Sequence, residues 1–395
     1  MKKLRIIVGG YIGLYPTGGA TWDYIQYPLG LQMLGHDVYY IEDTRQYPVF
    51  QDGKNWNDAS GCIQYLKAMM EAFNLKDKWA YRDIASGKCY GMTQEKVNEL
   101  CRSADVFINI SCSTFLREEY LNIPTRVLID SDPMFTQVQY ELESGGDMPT
   151  EGPTTRHMLA NHNFLFSFGE NIGAEDCKIP TLGFKWRTTR QPVCLNLWEN
   201  KQKQTVDSFT SIMNWSGRKK MIYKNEGWGQ KDVEFEKYRS VPAKLPDTNF
   251  KMVINNPLID ESNFDSDDLK SLGWNILTPA LTIGNTDDYR SFIINSAAEF
   301  SVAKETYVKS NSGWFSGRSA CYLAAGKPVV TQETGWSKFI ACNEGLFSFN
   351  SVETAIAAIE EVNENMEHHS KKAVNLAREY FDSNIVLTNL LNQLN

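Results

Sequence analysis

The chain contains 395 residues, of which 42% are hydrophobic and 22% are charged, and its formal net charge is -8 at pH 7. This length predicts two domains, because single domains usually span about 100–200 residues. The negative charge argues against a nucleic-acid-binding protein, which needs a basic surface, and no stretch approaches the roughly 20 apolar residues of a membrane span.

The eight cysteines are scattered, with neither a C-x-x-C motif nor histidines at zinc-ligand spacing. This pattern predicts no disulfide framework and no structural metal site, and it favours a reducing cytoplasm. The amino terminus, MKKLRIIVGG, places two lysines before an apolar run, as signal peptides do. Because the run breaks at Gly9 and Gly10, we interpret it as a first strand that enters a glycine loop.

The first half of the chain alternates short apolar runs with helical patterns. Residues 4–8 and 36–43 have the composition of buried parallel strands, and a helix is predicted between them over about residues 22–34. Further strands are predicted at 105–111, 125–133 and 163–170, with helical segments between some of them. Such alternation predicts a parallel sheet covered by helices.

The composition of the sequence changes at residues 179–200, which are rich in Pro, Arg and Trp and have little periodicity. We interpret this stretch as a linker. Alternation then resumes, with strands predicted at 208–215, 249–255, 274–279, 299–304 and 346–350. The prediction is therefore an α/β protein of two doubly wound domains, at 1–185 and 186–375. A last helix at 376–395 is expected to be able to pack across both lobes.

The segment SGWFSGRSACYLAAGKPVV, which starts at Ser312, carries the clearest chemical pattern. Ser316 is suited to be the N-cap of a helix over about residues 318–325, which Gly326 would end. A helix start has unpaired N–H groups and about half a positive charge, so a diphosphate would bind there, aided by the hydroxyls of Ser312 and Ser316. Arg318 in the first turn of the helix would also contact this diphosphate. An ordinary capped helix with Arg318 in solvent is the alternative.

This segment resembles the donor site of the GT-B glycosyltransferases, in which a small-residue turn and a helix start bind the nucleotide diphosphate. The matching residues are 312–316, the GKPVV stretch at 326–330 and the loop at 332–336. The resemblance implies two Rossmann-like domains facing a cleft and a metal-independent hexosyltransferase without a cofactor. Its co-substrate would be a nucleoside diphosphate sugar, UDP-linked or dTDP-linked, and its acceptor a small molecule or glycan.

The resemblance also implies roles for individual residues. Those expected to bind the diphosphate are Ser312, Gly313, Trp314, Ser316, Gly317 and Arg318, together with Asn214 and Ser216 after the first strand of the second lobe. Those expected to bind the donor sugar are Glu333, Thr334 and Gly335. A histidine and a paired-glutamate motif that mark two branches of the family are absent, so inversion and retention both stay open.

The loop at residues 9–24 leaves the carboxyl end of the first predicted strand and should face the same cleft. Attack by an acceptor hydroxyl needs a base, and Asp23 is the candidate, with Asp132 orienting it or contacting the acceptor. Tyr11, Tyr15 and Trp22 are expected to line the acceptor pocket. A structural role for Asp23 in the first turn of a helix is equally compatible with its position.

Two other patterns predict different chemistry. Asp130 and Asp132 form a D-x-D motif, which holds a divalent metal in the GT-A glycosyltransferases. VGGYIG followed by Glu42 is similar to a nicotinamide-dinucleotide fingerprint, although the spacing is too long. A sugar-nucleotide epimerase and a non-catalytic nucleotide-sugar-binding protein are further alternatives, because one scaffold supports several functions.

Overall fold

The computed structural model describes residues 2–48, 57–144, 155–199, 207–217, 219–256 and 264–394. The chain forms two compact units. The first unit contains Met1–Phe168, Pro180–Cys194 and Ser383–Asn395, and the second contains Gly169–Ile179 and Leu195–Asp382. None of the helices in these described ranges is both long enough and apolar enough to cross a bilayer.

An eight-stranded sheet forms the centre of the first unit. Its strands are β1 (Arg5–Gly9), β2 (Asp37–Glu42), β3 (Trp79–Arg82), β4 (Cys89–Gly91), β5 (Val106–Ile110), β6 (Thr125–Asp130), β7 (Phe164–Ser167) and β8 (Trp186–Thr188). They lie in the order β4-β3-β2-β1-β5-β6-β7-β8, and every neighbouring pair is parallel except β3 and β4. All five residues of β5 are buried, as expected for a strand covered on both faces.

Helices connect these strands. They are α1 (Gly18–Met33), α2 (Ser60–Ala72), α3 (Gln94–Ser103), α4 (Glu118–Leu121), α5 (Phe135–Ser144) and α6 (Thr155–Ala160). Helix α1 begins four residues before the predicted start, because the Thr17 hydroxyl accepts a hydrogen bond from the Ala20 amide and caps it.

The second unit contains a six-stranded parallel sheet and a separate hairpin. The strands are β9 (Ser208–Asn214), β10 (Met221–Tyr223), β11 (Glu226–Trp228), β12 (Asn249–Asn255), β13 (Trp274–Leu277), β14 (Ala298–Ser301), β15 (Val329–Gln332) and β16 (Leu346–Phe349). The sheet order is β13-β12-β9-β14-β15-β16, and β10 pairs with β11. Lys224 and Asn225 join the hairpin with φ angles of 52° and 62°, as in a type I′ turn, and this hairpin was not predicted.

Nine α-helices of the second unit lie in the described ranges. They are α7 (Lys231–Phe235), α8 (Val241–Lys244), α9 (Ser266–Ser271), α10 (Pro279–Thr282), α11 (Thr286–Ile294), α12 (Glu305–Ser310), α13 (Gly317–Ala324), α14 (Val352–Glu364) and α15 (Met366–Tyr380). The predicted α/β class with two doubly wound sheets is thus confirmed.

The two units do not coincide with the predicted domains. The segment Gly169–Ile179 belongs to the second unit, although it precedes the boundary predicted at residue 185, and Pro180–Cys194 returns to the first. The predicted final helix is two helices, α15 and α16 (Ser383–Asn392). Helix α16 packs on α1 so closely that a Cβ atom on Gly30 would lie 2.6 Å from Leu387 Cδ1.

Each sheet has a topological switch point, where the connections turn from one side of the first strand to the other. In the first unit it lies between β1 and β5, and in the second between β9 and β14. Ligands of open α/β sheets bind outside the carboxyl ends of the strands at such points. The candidate site residues are therefore found in the loops that follow these four strands.

Candidate functional site

The start of helix α13, near the switch point of the second sheet, is open. Ser316 is its N-cap, as predicted, but the Ser316 side chain makes no capping hydrogen bond. No described residue accepts a hydrogen bond from the backbone N–H groups of Gly317, Arg318 or Ser319. Gly317 and Arg318 are partly exposed, whereas Ser319 is fully buried, so the first residues of the helix keep contact with the surface. A helix start with unused donors attracts an anion.

Lys231, the first residue of α7, is the main feature that the sequence did not reveal. The residue is only 7% exposed, and within the described ranges no hydrogen bond or ion pair to its ammonium is formed, although the ammonium is not among the fully enclosed atoms that lack a partner. Burial lowers the pKa of Lys231 well below its ordinary value, and the charges of Arg318 and Lys304 lower it further, while Glu299 acts in the opposite direction. Buried lysines without a carboxylate partner are rare and often functional.

Helix α7 is fixed next to the loop that follows β14. The Gly229 amide donates to Glu305 Oε2 at 2.6 Å, and the Thr306 hydroxyl donates to the Gly229 carbonyl at 2.9 Å. These bonds tie the start of α7 to the start of α12. They hold the Lys231 ammonium at the switch point, where it interacts electrostatically with Arg318 at the start of α13.

The structure corrects the predicted role of Arg318. Its Nε atom donates to Glu299 Oε1 at 2.6 Å, its Nη2 atom to Ser301 Oγ at 2.7 Å, and its Nη1 atom to the Ile212 carbonyl. The guanidinium is 12% exposed, and the Glu299 carboxylate on β14 is fully buried. Arg318 therefore neutralises a carboxylate that would otherwise be buried without a counter-charge, and three of its five N–H donors are used within the protein.

Ser312, Gly313 and Trp314 also differ from the prediction. The Ser312 hydroxyl is fully buried, donates to the Tyr307 carbonyl at 3.2 Å and accepts from the Trp314 amide at 3.2 Å. The Gly313 amide donates to the Thr334 carbonyl at 2.7 Å. The Trp314 ring stacks on Tyr307 with centroids 4.3 Å apart. These residues build the loop before α13, and their bonded groups do not support the predicted phosphate contacts.

Gly313 is required at its position by a segment that the sequence analysis had assigned to the first domain. Its φ angle is 74°, and a Cβ atom would lie 2.6 Å from the Asn171 backbone nitrogen. The Asn171 side chain donates to the Asn311 carbonyl at 2.9 Å, and the Asn171 amide donates to the Ser312 carbonyl at 3.1 Å. The segment Gly169–Ile179 thus supports the loop that leads into α13.

The loop after β15 is held by its own glutamate. Glu333 Oε1 accepts hydrogen bonds from the amides of Thr334 at 3.1 Å and Gly335 at 2.6 Å, and Oε2 accepts from the Ser348 hydroxyl at 2.7 Å. The Thr334 hydroxyl is buried and donates to the Trp314 carbonyl at 2.6 Å. The predicted sugar contacts of Thr334 and Gly335 are therefore not supported, while Glu333 is partly exposed and can accept further hydrogen bonds.

The residues predicted after β9 are divided between surface and core. Asn214 is exposed, and its Oδ1 atom accepts a hydrogen bond from Asn255 at 2.9 Å. Ser216 is 8% exposed, and the neighbouring Trp215 ring is buried in the core of the unit. Asn214 and Ser216 lie at the carboxyl end of the strand, as predicted. Arg218 lies outside the described residues.

At the switch point of the first sheet, a carboxylate already occupies the backbone donors. Glu42 is fully buried and accepts hydrogen bonds from the Gly13 amide at 2.8 Å, the Leu14 amide and the Tyr40 hydroxyl at 3.0 Å. Burial raises the pKa of Glu42 to about 7. The oxygens of Glu42 accept hydrogen bonds from the loop after β1, so they are not placed to bind a ribose. The nicotinamide-dinucleotide alternative therefore lacks the acidic residue that it requires.

Asp23 and Trp22 lie on helix α1. Because this helix begins at Gly18, Asp23 is in the second turn, so the alternative of a first-turn residue that interacts with the helix dipole is wrong. Asp23 is exposed. Trp22 is only 4% exposed and packs edge-on against Phe73 with centroids 5.5 Å apart, so it belongs to the core rather than to a pocket wall.

Tyr11 and Tyr15 contact each other as part of an aromatic cluster that also contains Tyr24. The Tyr11 ring lies 5.3 Å from Tyr15 and 5.9 Å from Tyr24, both edge-on. The Tyr24 hydroxyl donates to Ser111 Oγ at 3.3 Å, and Ser111, directly after β5, has a φ angle of 57°. The cluster therefore connects the loop after β1 to the loop after β5. Tyr24 was missed because it lies inside a helix.

The D-x-D motif does not form a pair of free carboxylates. Asp130 is 1% exposed and accepts hydrogen bonds from Thr136 at 2.7 Å, Gln137 at 2.8 Å and Ser167 at 3.1 Å. Burial raises its pKa. Asp132 is partly exposed. In the part of the chain that the structure describes, no group of three or more His, Cys, Asp or Glu side chains is arranged to hold a metal ion.

The chain resembles solved structures in its fold, although comparisons of its sequence find no match. Neither a protein-family model nor a curated protein matches the chain. Among solved structures, Anabaena HepE in complex with UDP and glucose has 11% identity and a TM-score of 0.55, over 99% of both chains. A glycosyltransferase from Rickettsia africae ESF-5 has 12% identity and a TM-score of 0.51, over 100% of this chain and 98% of its own.

A third solved structure agrees with these two. Sucrose-phosphate synthase from Thermosynechococcus elongatus has 10% identity and a TM-score of 0.51, over 99% of both chains. Such low identities report the fold alone. The predicted likeness to the GT-B glycosyltransferases is therefore confirmed at the level of the fold.

Proposed function

We propose that this protein transfers a sugar from a nucleoside diphosphate donor to a hydroxyl-bearing acceptor, without a metal ion. The observation that supports it most is the buried Lys231, which has no partner among the described residues and lies at the same switch point as the open start of α13. A lysine in that environment is unfavourable unless an anion accompanies it. The fold, which solved glycosyltransferases share, is consistent with this proposal.

The second unit would bind the donor diphosphate. The N–H groups of Gly317, Arg318 and Ser319 and the Ser316 hydroxyl supply hydrogen-bond donors, and Lys231 supplies an amine whose protonated form a bound anion would favour. Donors aimed at charge that develops on a departing group stabilise the transition state, and they do so strongly in a site of low dielectric. The protein itself would thereby neutralise the negative charge of the diphosphate, which a metal ion would otherwise neutralise.

The identity of the nucleotide is proposed from similarity. HepE, whose fold this chain shares, has been solved with UDP and glucose. We therefore take UDP as the first candidate and dTDP as the second. Glu333, which can accept hydrogen bonds beyond those of its own loop, is the remaining candidate for contact with donor hydroxyls.

The first unit would bind the acceptor and supply the base. The acceptor hydroxyl loses a proton as it attacks the anomeric carbon, and the diphosphate leaves with the electrons of the bond that breaks. Asp23, exposed on α1, is the proposed base, and Asp132 a proposed contact of the acceptor. Tyr11 and Tyr15 are proposed to pack against it, together with Tyr24.

Calorimetric titration of UDP, dTDP, GDP and ADP into protein dialysed against EDTA tests the donor site. We expect one diphosphate to bind at least about tenfold more tightly than its monophosphate, because hydrogen bonds to charged groups contribute about 1.5–3 kcal/mol each. Equal binding of the two, no binding, or a requirement for Mg²⁺ would contradict the proposal.

The second step measures turnover of the nucleotide sugar whose diphosphate binds. Slow release of the free nucleotide, accelerated by a hydroxyl-bearing acceptor, is the result expected for a transferase. Conversion to an isomeric nucleotide sugar would instead indicate an epimerase, and binding without turnover would indicate a binding protein.

Asp23→Asn tests the base. It should leave nucleotide affinity unchanged and lower transfer by about 10²-fold or more, as the loss of a general base usually does. Near-normal transfer by this variant would remove Asp23 from the mechanism without affecting the donor site.

A further inference from the structure

A second set of loops lies at the carboxyl edge of the first sheet, next to the tyrosine cluster. The Phe115 amide, after β5, donates to the Asp43 carbonyl, after β2, at 2.8 Å. Gln46 in the same β2 loop donates from its side chain to the Tyr11 hydroxyl at 3.3 Å. The loops after β1, β2 and β5 are therefore connected by direct hydrogen bonds.

Among the described residues of these loops, Arg82 and Arg117 form ion pairs with carboxylates and Arg45 does not. The buried carboxylate of Asp43 accepts hydrogen bonds from Arg82 at 2.9 Å and from two nitrogens of Arg117, at 2.7 and 2.9 Å. Arg82 also donates to Glu119 at 2.6 Å. Two carboxylates and two guanidinium groups thus neutralise one another. A third arginine in these loops, Arg45, is not part of this network of ion pairs.

Arg45 is exposed, and no carboxylate of the described ranges forms an ion pair with it. Its guanidinium carbon lies 4.6 Å from the centroid of the Phe115 ring, and the guanidinium carbon of Arg117 lies 5.5 Å from the same centroid. Stacking on a ring orients a guanidinium but does not use its in-plane N–H donors. Arg45 is therefore oriented and keeps its hydrogen-bonding capacity.

The backbone of Arg45 supports a functional reading. Its φ angle is 53°, in the left-handed region that residues with a side chain seldom adopt. Such conformations occur in turns and also at binding sites and active sites. Arg45 directly precedes Gln46, which contacts the tyrosine cluster.

We propose that Arg45 binds an anionic substituent of the acceptor, so that the preferred acceptor is a sugar carrying a carboxylate or phosphate group. This inference rests on the proposed function, since it names the substrate class of the same reaction. The planar N–H fork of arginine matches the oxygens of either group. The tyrosine cluster would pack against the sugar ring while Arg45 selects for charge.

The test compares acceptors that differ in charge. Binding of glucose, glucuronic acid and glucose 6-phosphate to the protein is measured by calorimetry, with and without saturating UDP, and transfer to each is measured with the nucleotide sugar that turns over. We expect at least one charged sugar to bind about tenfold or more tightly than glucose. The two charged sugars distinguish a carboxylate from a phosphate.

Arg45→Gln should abolish that preference by weakening the charged sugar about 10- to 100-fold, with glucose little changed, because a hydrogen bond to a charged group contributes about 1.5–3 kcal/mol. Arg102→Gln, which removes an exposed arginine on α3, is the matched control and should keep the preference. If the unsubstituted protein binds all three sugars equally, or if Arg45→Gln keeps the preference, the inference is wrong. Failure of the unsubstituted protein to bind UDP would count against the proposed function instead.

Discussion

The two switch points have the same strand topology, but they differ in whether a side chain of the protein accepts hydrogen bonds from their backbone N–H groups. In the first unit, the buried carboxyl group of Glu42 accepts hydrogen bonds from the amides of Gly13 and Leu14, so a side chain of the protein already occupies these donors. In the second, the start of α13 keeps its donors free, and Lys231 has no partner among the described residues. One site is complete and the other lacks an anion, which identifies the second as the candidate diphosphate site.

The comparison also separates two cations of the second unit. Arg318 is paired with the buried carboxylate of Glu299, whereas Lys231 has no partner in the part of the chain that the structure describes. If this assignment is right, changes at Arg318 should affect folding and changes at Lys231 should affect ligand binding. The following predictions test that separation, starting with the largest expected effect.

Arg318→Ala should lower the free energy of unfolding by about 3–5 kcal/mol, because removing one member of a buried pair leaves the other charge uncompensated. Urea unfolding measures the change. The double variant Arg318→Met, Glu299→Leu should recover much of the loss, since both charges are then absent. Near-normal stability of Arg318→Ala together with weakened UDP binding would reverse the assignment and make Arg318 a phosphate ligand.

Lys231→Met should lower sugar transfer by about 10²- to 10³-fold and weaken UDP, because removing one preorganised electrostatic contact costs about 2.7–4 kcal/mol in the transition state. Stability should be unchanged or higher, since a buried charge is removed. Lys371→Met, a change of the same charge at an exposed site on α15, is the control for net charge. Loss of stability without any change in UDP affinity would make Lys231 a structural residue.

Glu42→Gln tests the filled switch point. Because the folded-state pKa of Glu42 is raised from 4.5 to about 7, the fold favours its protonated form. Its contribution to stability is therefore present at low pH and declines as pH rises through about 7. One pKa unit corresponds to about 1.4 kcal/mol, so the decline amounts to at most about 3 kcal/mol.

Urea unfolding of the protein and of Glu42→Gln, across the range from about pH 4.5 to pH 8, measures this decline, because the neutral amide does not titrate there. The variant should gain stability relative to the original protein as pH rises. UDP affinity should be unaffected, because Glu42 lies in the other unit. A constant stability difference across the range would show that Glu42 does not titrate as proposed.

Much of the fold was predictable because it depends on local patterns. Buried parallel strands are short apolar runs, and the start of α13 was recognised from Ser316 and the small residues around it. The ion pair of Arg318 was not predicted because its partner Glu299 precedes it by 19 residues and lies on strand β14. A single carboxylate inside the apolar run AEFS was the available signal, since a buried charge requires a counter-charge.

Lys231 was missed for a different reason. It lies in a polar stretch that looks solvent-exposed in sequence, and its burial results from the packing of α7 against α12 and the switch point. The domain boundaries failed similarly, because Gly169–Ile179 belongs to the second unit through its contacts with residues about 140 positions later. Burial and long-range contact are tertiary properties that local patterns do not contain.

Ser316→Ala has the smallest predicted effect and separates folding from binding most finely. Loss of an N-cap serine usually costs about 1 kcal/mol because its hydroxyl accepts a backbone hydrogen bond. The Ser316 hydroxyl makes no such bond, so its removal should cost less than about 0.5 kcal/mol. It should weaken UDP about 3- to 10-fold, since a hydrogen bond to a charged phosphate is lost.

Ser351→Ala on α14 is the matched control, because that serine caps its helix by accepting from the Thr354 amide at 3.2 Å. It should cost about 1 kcal/mol of stability and leave UDP affinity unchanged. Opposite effects of two N-cap serines in the same unit would follow only if the start of α13 is kept open for a ligand. If both variants lose stability equally and bind UDP normally, the amides of α13 are an ordinary helix end, and the contrast between the two switch points loses its functional meaning.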